Sequence, residues 1–177
     1  DAGRIYGRAL TAAEVVALAA EAALQDTESV AITVAAVNDA PVLGFASGGF
    51  TYPENAGVVV VAPYATVSDA DSANFDGGSL VVSFTANGQP EDRIGLRHEG
   101  TGAGQVGLSG NTVSYGGVAI GSFGGGGDGS TPLVVSFNAN ATLAAVQAVG
   151  RNVTYQNVSD APSTLVRTIA GYVTDGD

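Results

Sequence analysis

Near residue 28 the apolar positions of this chain change from a helical period to a period of two. From Thr11 to Leu24 they recur at helical spacing, with Val15, Val16, Leu18, Ala19, Ala22 and Ala23 forming a broad stripe interrupted by Glu21. Thr11 and Glu14 stand at the capping-box spacing, in which each side chain satisfies a free amide at the helix start. A helix is therefore predicted over 11–24, preceded by a short strand from Arg4 to Leu10. So short an alanine-rich helix is marginal alone, which predicts that it docks on another surface.

From Glu28 the period becomes two. Val30, Ile32, Val34 and Ala36 fall on one face and Ser29, Ala31, Thr33 and Ala35 on the other, the pattern of a strand with one buried side. The link Asn38 to Pro41 spans only ~13 Å when extended, at ~3.3 Å per residue. It either turns back as a tight hairpin or lets the strand project in line from the pole of the domain that follows. Pro41 stiffens that joint.

Beyond the link, short strands are predicted at sandwich-like spacing with glycine-rich punctuation: Phe45–Tyr52, Gly57–Val61, Ala65–Val67, Ser79–Thr85, Arg93–Arg97, Thr112–Tyr115, Val118–Phe123, Leu133–Phe137, Asn152–Gln156 and Leu165–Val173. Leu80, Val82 and Phe84, and Leu133, Val135 and Phe137, mark the clearest inward faces. One short helix, Leu143–Val149, interrupts the strands. The predicted fold class is all-β, an immunoglobulin/cadherin-like β-sandwich with a short N-terminal helix and a projecting N-terminal strand. Its parts are a strand-helix extension over 1–26, a donor-type strand and linker over 27–41, and the sandwich over 42–177.

With 177 residues, 45% of them apolar, the chain can bury a real core without staples. Seventeen acidic residues against six basic ones give a net charge of -11, a balance that repels nucleic acid and anionic lipid and favours divalent cations. All six bases are arginines. Without cysteine neither disulfides nor thiolate zinc sites form, and without lysine the side-chain cross-links that need its amine are excluded. Any polymer is then held by packing and backbone hydrogen bonds. No apolar run approaches the ~20 residues of a bilayer span. The chain does not begin with methionine and shows no basic-then-apolar leader, so it reads as a processed product or an excerpt of a longer one.

Several segments, in order, resemble the cadherin-like, immunoglobulin-type tandem repeats of very large bacterial surface proteins and adhesins. They are Val37-Asn38-Asp39-Ala40-Pro41-Val42, Pro53-Glu54-Asn55, Val67-Ser68-Asp69-Ala70-Asp71, Phe137 to Thr142, Ala145 to Ala148, Arg151 to Tyr155, Ser159 to Ser163 and Thr174-Asp175-Gly176-Asp177. The resemblance covers about residue 28 to the end. In such arrays a final strand follows the Asp-Gly-Asp and ends in Asn-Asp-Ala-Pro, whereas here the matching strand stands in front. The resemblance thus implies that Glu28 to Val37 projects, and that copies join head to tail by donating this strand, with main-chain hydrogen bonds giving affinity and alternate side chains giving register. Arg4 to Val15 more weakly resembles the end of a laminin-G or concanavalin-like lectin module, too little of which is present to carry over a sugar site.

The same resemblance implies calcium. Oxygen donors stand where the cadherin-like pattern places interdomain ions, at Asn38 and Asp39, Glu54, and Asp69 and Asp71; Glu91 and Asp92 resemble the family's mid-domain acidic motif, and Asp175 with Asp177 lies near the terminus. A hard cation takes six to eight oxygens. Acidic residues also populate turns for their own reasons, so the bland reading competes. Asn140, Asn152 and Asn157 begin glycosylation sequons, which acquire meaning in an extracellular setting, and the Ser/Thr-rich surface suits O-linked sugar equally.

Other chemistry is poorly served. Gly124 to Gly129 is similar to a single calcium-binding nonapeptide but lacks the repetition that builds a β-roll, and reads as a hairpin loop. His98, the only histidine, reads as a surface residue. Glu91, Asp92 and Glu99 supply carboxylates for glycoside hydrolysis on paper, but without tryptophan there is no sugar platform of the best kind. The sequence therefore predicts no enzyme. It predicts a structural protomer or repeat of an extracellular, bacterial cell-surface filament or adhesin whose partners are copies of itself, in a head-to-tail homopolymer with possible glycans. The competing expectation is a calcium-dependent, lectin-like or adhesive module.

Overall fold

The period-two alternation builds most of the molecule. In the computed structural model, residues 7, 9–22, 28–45 and 48–177 are described, and the chain divides into two units, 1–36 and 37–177. The predicted strand over 4–10 lies largely outside the described residues, as do Ala23 and Leu24.

In the first unit, α1 (Ala12–Ala22) opens on the predicted reciprocal cap. Thr11 N–H donates to Glu14 Oε2 at 2.8 Å, and Glu14 N–H returns to Thr11 Oγ1 at 3.3 Å. Val15 and Val16, two of the stripe residues, are exposed.

In the second unit eleven strands form three sheets, an arrangement consistent with a β-sandwich. They are β1 (Val42–Gly44), β2 (Val59–Val60), β3 (Thr66–Ser68), β4 (Ser79–Ala86), β5 (Asp92–Leu96), β6 (Val106–Ser109), β7 (Thr112–Tyr115), β8 (Val118–Gly124), β9 (Leu133–Phe137), β10 (Val153–Asn157) and β11 (Thr168–Thr174), with α2 (Leu143–Arg151) between β9 and β10. One sheet has the order β11-β4-β9-β8-β7-β6, a second β2-β10-β5, and a third is the β1-β3 ribbon. Every pairing is antiparallel.

The inward rows read from sequence meet in one core. Leu80 and Val82 of β4, Leu133 and Val135 of β9, Ile120 and Val113 are buried against Ile94, Val153, Val146 and Val149 of the strands and helix opposite. α2 starts where Thr142 Oγ1 accepts from Ala145 N–H at 3.3 Å, an N-cap that stops a strand pattern from continuing. The Gly116-Gly117 pair joins β7 to β8 with φ of 59° and 83°, the two left-handed residues that a type I′ hairpin demands.

Three expectations change. The strand predicted over Phe45–Tyr52 is replaced by β1, which ends at Gly44 and takes its register from β3 (Leu43 opposite Val67). Ala46 and Ser47 of that predicted strand lie outside the described residues; of its aromatic residues Phe45 packs over Gly171, Tyr52 stacks edge-on against Tyr155 with centroids 4.9 Å apart, and Phe50 is exposed. The last strand begins at Thr168, not Leu165, because Arg167 Nη1 donates to the carbonyls of Ser163 and Leu165 and folds the preceding turn. A strand absent from the prediction, β6, hairpins onto β7 across Gly110-Asn111.

The ends of the six-stranded sheet differ. At β6 the edge is stitched, since Glu99 and Gly100 N–H groups both donate to Val106 O, and Leu108 N–H donates to His98 Nδ1 at 2.8 Å. At β11, among the described residues, no strand pairs on the side away from β4.

Candidate functional site

The chemistry of the alternating segment depends on what covers it. Residues 28–41 belong to none of the three sheets. Val30, Ile32 and Val34 are 86%, 83% and 87% exposed, and Ala36 is exposed as well. The strand expected there has no ladder partner among the described residues, so its apolar row lies in solvent.

The predicted oxygen donors separate into two groups at opposite ends of β4, whose eight residues span roughly 26 Å at ~3.3 Å each. At the Ser79 end, Asn38 Nδ2 donates to Asp175 Oδ2 at 3.0 Å, and Ser72 Oγ lies 3.3 Å from the same oxygen. Asp39 N–H donates to Asp71 Oδ2 at 3.2 Å. Asp71 and Ser72 N–H groups both donate to Asp69 Oδ1, closing a tight Asx turn. The hydrogen bond from Ser72 N–H first, and that from Asp71 N–H, hold Asp69 below the ordinary carboxylate range against the opposing effects of desolvation and the Asp175 charge. Asp175 is lowered chiefly by Asn38. Asp177 contributes its N–H to Asp175 Oδ1 at 3.4 Å.

Among the described residues at this end, Asp69 Oδ2 is the buried side-chain oxygen with no hydrogen-bond partner. The other carboxylate contacts at this end are made to N–H and O–H groups. Among the described residues no three acidic or histidine side chains converge closely enough to hold an ion. A cation there would have to take Asp69 and Asp175 first and recruit its remaining oxygens from carbonyls or water.

Asp92, at the far end, is not a surface ligand. Its carboxylate is fully buried and saturated: Oδ1 accepts from Tyr155 Oη at 2.7 Å and Asn157 Nδ2 at 2.6 Å, and Oδ2 accepts from Gln89 N–H at 2.8 Å and Arg167 Nε at 3.1 Å. Burial opposes its ionisation, yet these donors prevail and its pKa is lowered. Burial and the neighbouring Asp92 charge raise that of Tyr155. The preceding Glu91 offers its carbonyl to Val158 N–H, and Glu54 sits exposed in the turn before Gly57. Asp92 is a structural centre that ties β5, β10 and the segment before β11 together.

The sequons divide in the same manner. Asn140 is exposed, its amide resting on Ala119 O at 3.1 Å. Asn152 and Asn157 are buried, and the amide nitrogen each would offer to sugar is already a donor, Asn152 to Ala148 O at 2.9 Å and Asn157 to Asp92. In the folded chain these two side chains are buried, whereas Asn140 is exposed. The glycine loop is a local turn: Asp128 accepts from the backbone and hydroxyl of both Ser130 and Thr131, and the Ser130 hydroxyl first, then these other donors, lower its pKa.

Sequence reasoning missed Arg167 and Tyr155 as partners of Asp92. Their signal is slight, since a lone arginine before a strand and a tyrosine inside one are ordinary. No family model, curated protein or solved structure matches the chain.

Proposed function

We propose that this chain is a structural protomer, or repeat, of an extracellular bacterial filament or adhesin, joined head to tail by residues 28–37 entering the sandwich of a neighbouring copy. One observation supports the reading. Val30, Ile32 and Val34 form an alternating apolar row left more than four-fifths in solvent, a state that a second sheet edge would relieve. Burying three such side chains contributes about 1.5–3 kcal/mol each, before the cost of ordering the segment. The resemblance to cadherin-like repeats supports a cell-surface setting for such units.

The test is electron microscopy of the purified full-length chain beside Ile32→Asp. The native chain is expected to form filaments or long oligomers and the variant to stay monomeric, because a charge would enter a dry ladder face. Monomers from the native chain at high concentration would reject the reading.

A second reading, a calcium-dependent binding module, is favoured by the orphaned Asp69 Oδ2 beside Asp175. Calcium raising the melting temperature, with the rise lost in Asp69→Asn, would establish it.

A further inference from the structure

The donor row is known by its exposure, but a filament also needs an acceptor and a direction. Resting on the strand-donation reading, we propose that the acceptor is the free edge of β11 and that a second copy's residues 28–37 lie on it antiparallel, with Ile32 opposite Gly171.

Within the six-stranded sheet, the largest of the three, the edge is selected by elimination and by fit. The six-stranded sheet has two ends, and the β6 end is already covered by the Glu99 and Gly100 amides and by His98. β11 runs seven residues, a length the period-two segment 28–37 can match rung for rung. Its own alternation is complementary: Ile169, Gly171 and Val173 are the more buried row, while Thr168, Ala170, Tyr172 and Thr174 are exposed. A strand added here would continue the inward row with Val30, Ile32 and Val34.

Gly171 fixes the register. A Cβ built there would stand 2.6 Å from Phe45 Cε2, so the aromatic ring occupies the space over the glycine. The largest donor side chain, Ile32, then sits beside the one inward position without a side chain and covers the ring. Shifting by two would set Ile32 against Ile169 or Val173, crowding two branched chains and leaving a gap at Gly171. In the chosen register Val30 faces Val173, Val34 faces Ile169, and Ala31 lies beside the exposed ring of Tyr172.

Asn38 sets the direction. It follows the donor segment directly, and its amide holds Asp175, one residue past the end of β11. That end of every acceptor is therefore occupied by its own Asn38 to Pro41 link. A parallel donor would have to leave the edge at the same place, bringing two such links together in a closed, reciprocal pair. An antiparallel donor leaves beside Thr168, past the exposed Leu165 and Val166, away from the acceptor's own link. That contact is heterologous and does not close, so it propagates as a filament. It also extends a sheet whose ladders are all antiparallel, the slightly stronger pairing.

The chain has no cysteine, so introduced cysteines report one contact each. Full-length Thr174→Cys would be mixed with full-length Ser29→Cys or with Ala35→Cys, and oxidised. The antiparallel register pairs Thr174 with Ser29 and keeps Ala35 roughly 20 Å away, six residues at ~3.3 Å. Dimers are expected with Ser29→Cys, at least tenfold over Ala35→Cys. Thr168→Cys provides the reciprocal measurement, with the preference reversed toward Ala35→Cys, and covers a failure of Thr174→Cys to fold. The opposite preferences at both positions, with closed dimers in sedimentation, would overturn the direction while leaving strand donation intact. Equal cross-linking to both would overturn the fixed register. No cross-link from either acceptor, with the mixtures monomeric, would defeat donation itself.

Discussion

Tyr155 donates its hydroxyl hydrogen to Asp92 Oδ1 across 2.7 Å, joining two residues buried in the interior of the second unit. Asn157 and Arg167 complete the carboxylate's shell, so one residue at the start of β5 organises β10 and the entry to β11. Replacing it by alanine leaves a phenol, an amide and a guanidinium without their acceptor. The expected loss is about 3–5 kcal/mol, the range for breaking a buried ion pair from one side. Urea unfolding would report it as a lower midpoint at unchanged slope. A loss below about 1 kcal/mol would show that the cluster relaxes and the carboxylate is dispensable.

Acid should unfold the molecule through the same group. The folded pKa of Asp92 lies below its ordinary value, and those of Asp69 and Asp175 are lowered too. A depressed carboxylate stabilises the fold fully above the unfolded value of ~3.9, and that contribution disappears as pH falls through the folded value. Urea midpoints should accordingly stay level from neutral pH to about 5 and drop below about 4. Asp92→Asn should flatten that drop. A native chain equally stable at pH 3 and pH 7 would contradict the assignment.

How much of this was legible in the sequence follows from what each element depends on. β4 and β9 were readable because Leu80, Val82, Leu133 and Val135 alternate against one core, and α2 because a cap and a helical row coincide. β6 was not, since Val106 to Ser109 is four residues with a glycine inside, although Gly110-Asn111 between two apolar runs was a usable hairpin signal. Phe45 to Tyr52 misled because apolar residues near glycines fit a strand and an irregular segment equally, and in the fold Phe45 and Tyr52 pack inward while Phe50 stays exposed. The acidic motifs were legible as residues but not as a site. Only the path of β4 places Asp69 and Asp175 at one end and Asp92 at the other, and only three-dimensional packing turns Asp92 inward.

Chelation separates the two functional readings. If assembly rests on a donated strand, the joint consists of backbone hydrogen bonds and apolar contact, neither of which needs an ion. Filaments treated with excess EDTA should keep their length and sedimentation. Dissociation on chelation, restored by calcium but not by magnesium, would transfer the role to the Asp69 and Asp175 end.

The two contrasting asparagines allow a final comparison within one chemical type. Asn152 accepts from Arg97 Nε at 2.8 Å through Oδ1 and donates through Nδ2 to Glu99 Oε2 at 3.1 Å and Ala148 O at 2.9 Å, all while buried beneath the end of α2. Its truncation to alanine strands a charged donor and removes the bridge between α2 and the segment after β5, and should cost about 1–3 kcal/mol. Asn140 lies exposed in the turn before α2, so its alanine variant should stay within about 0.5 kcal/mol of the native chain. Thermal melting of both variants measures the contrast directly. Equal small losses would mean that water replaces the Asn152 network without penalty and that the bridge between α2 and the segment after β5 is dispensable.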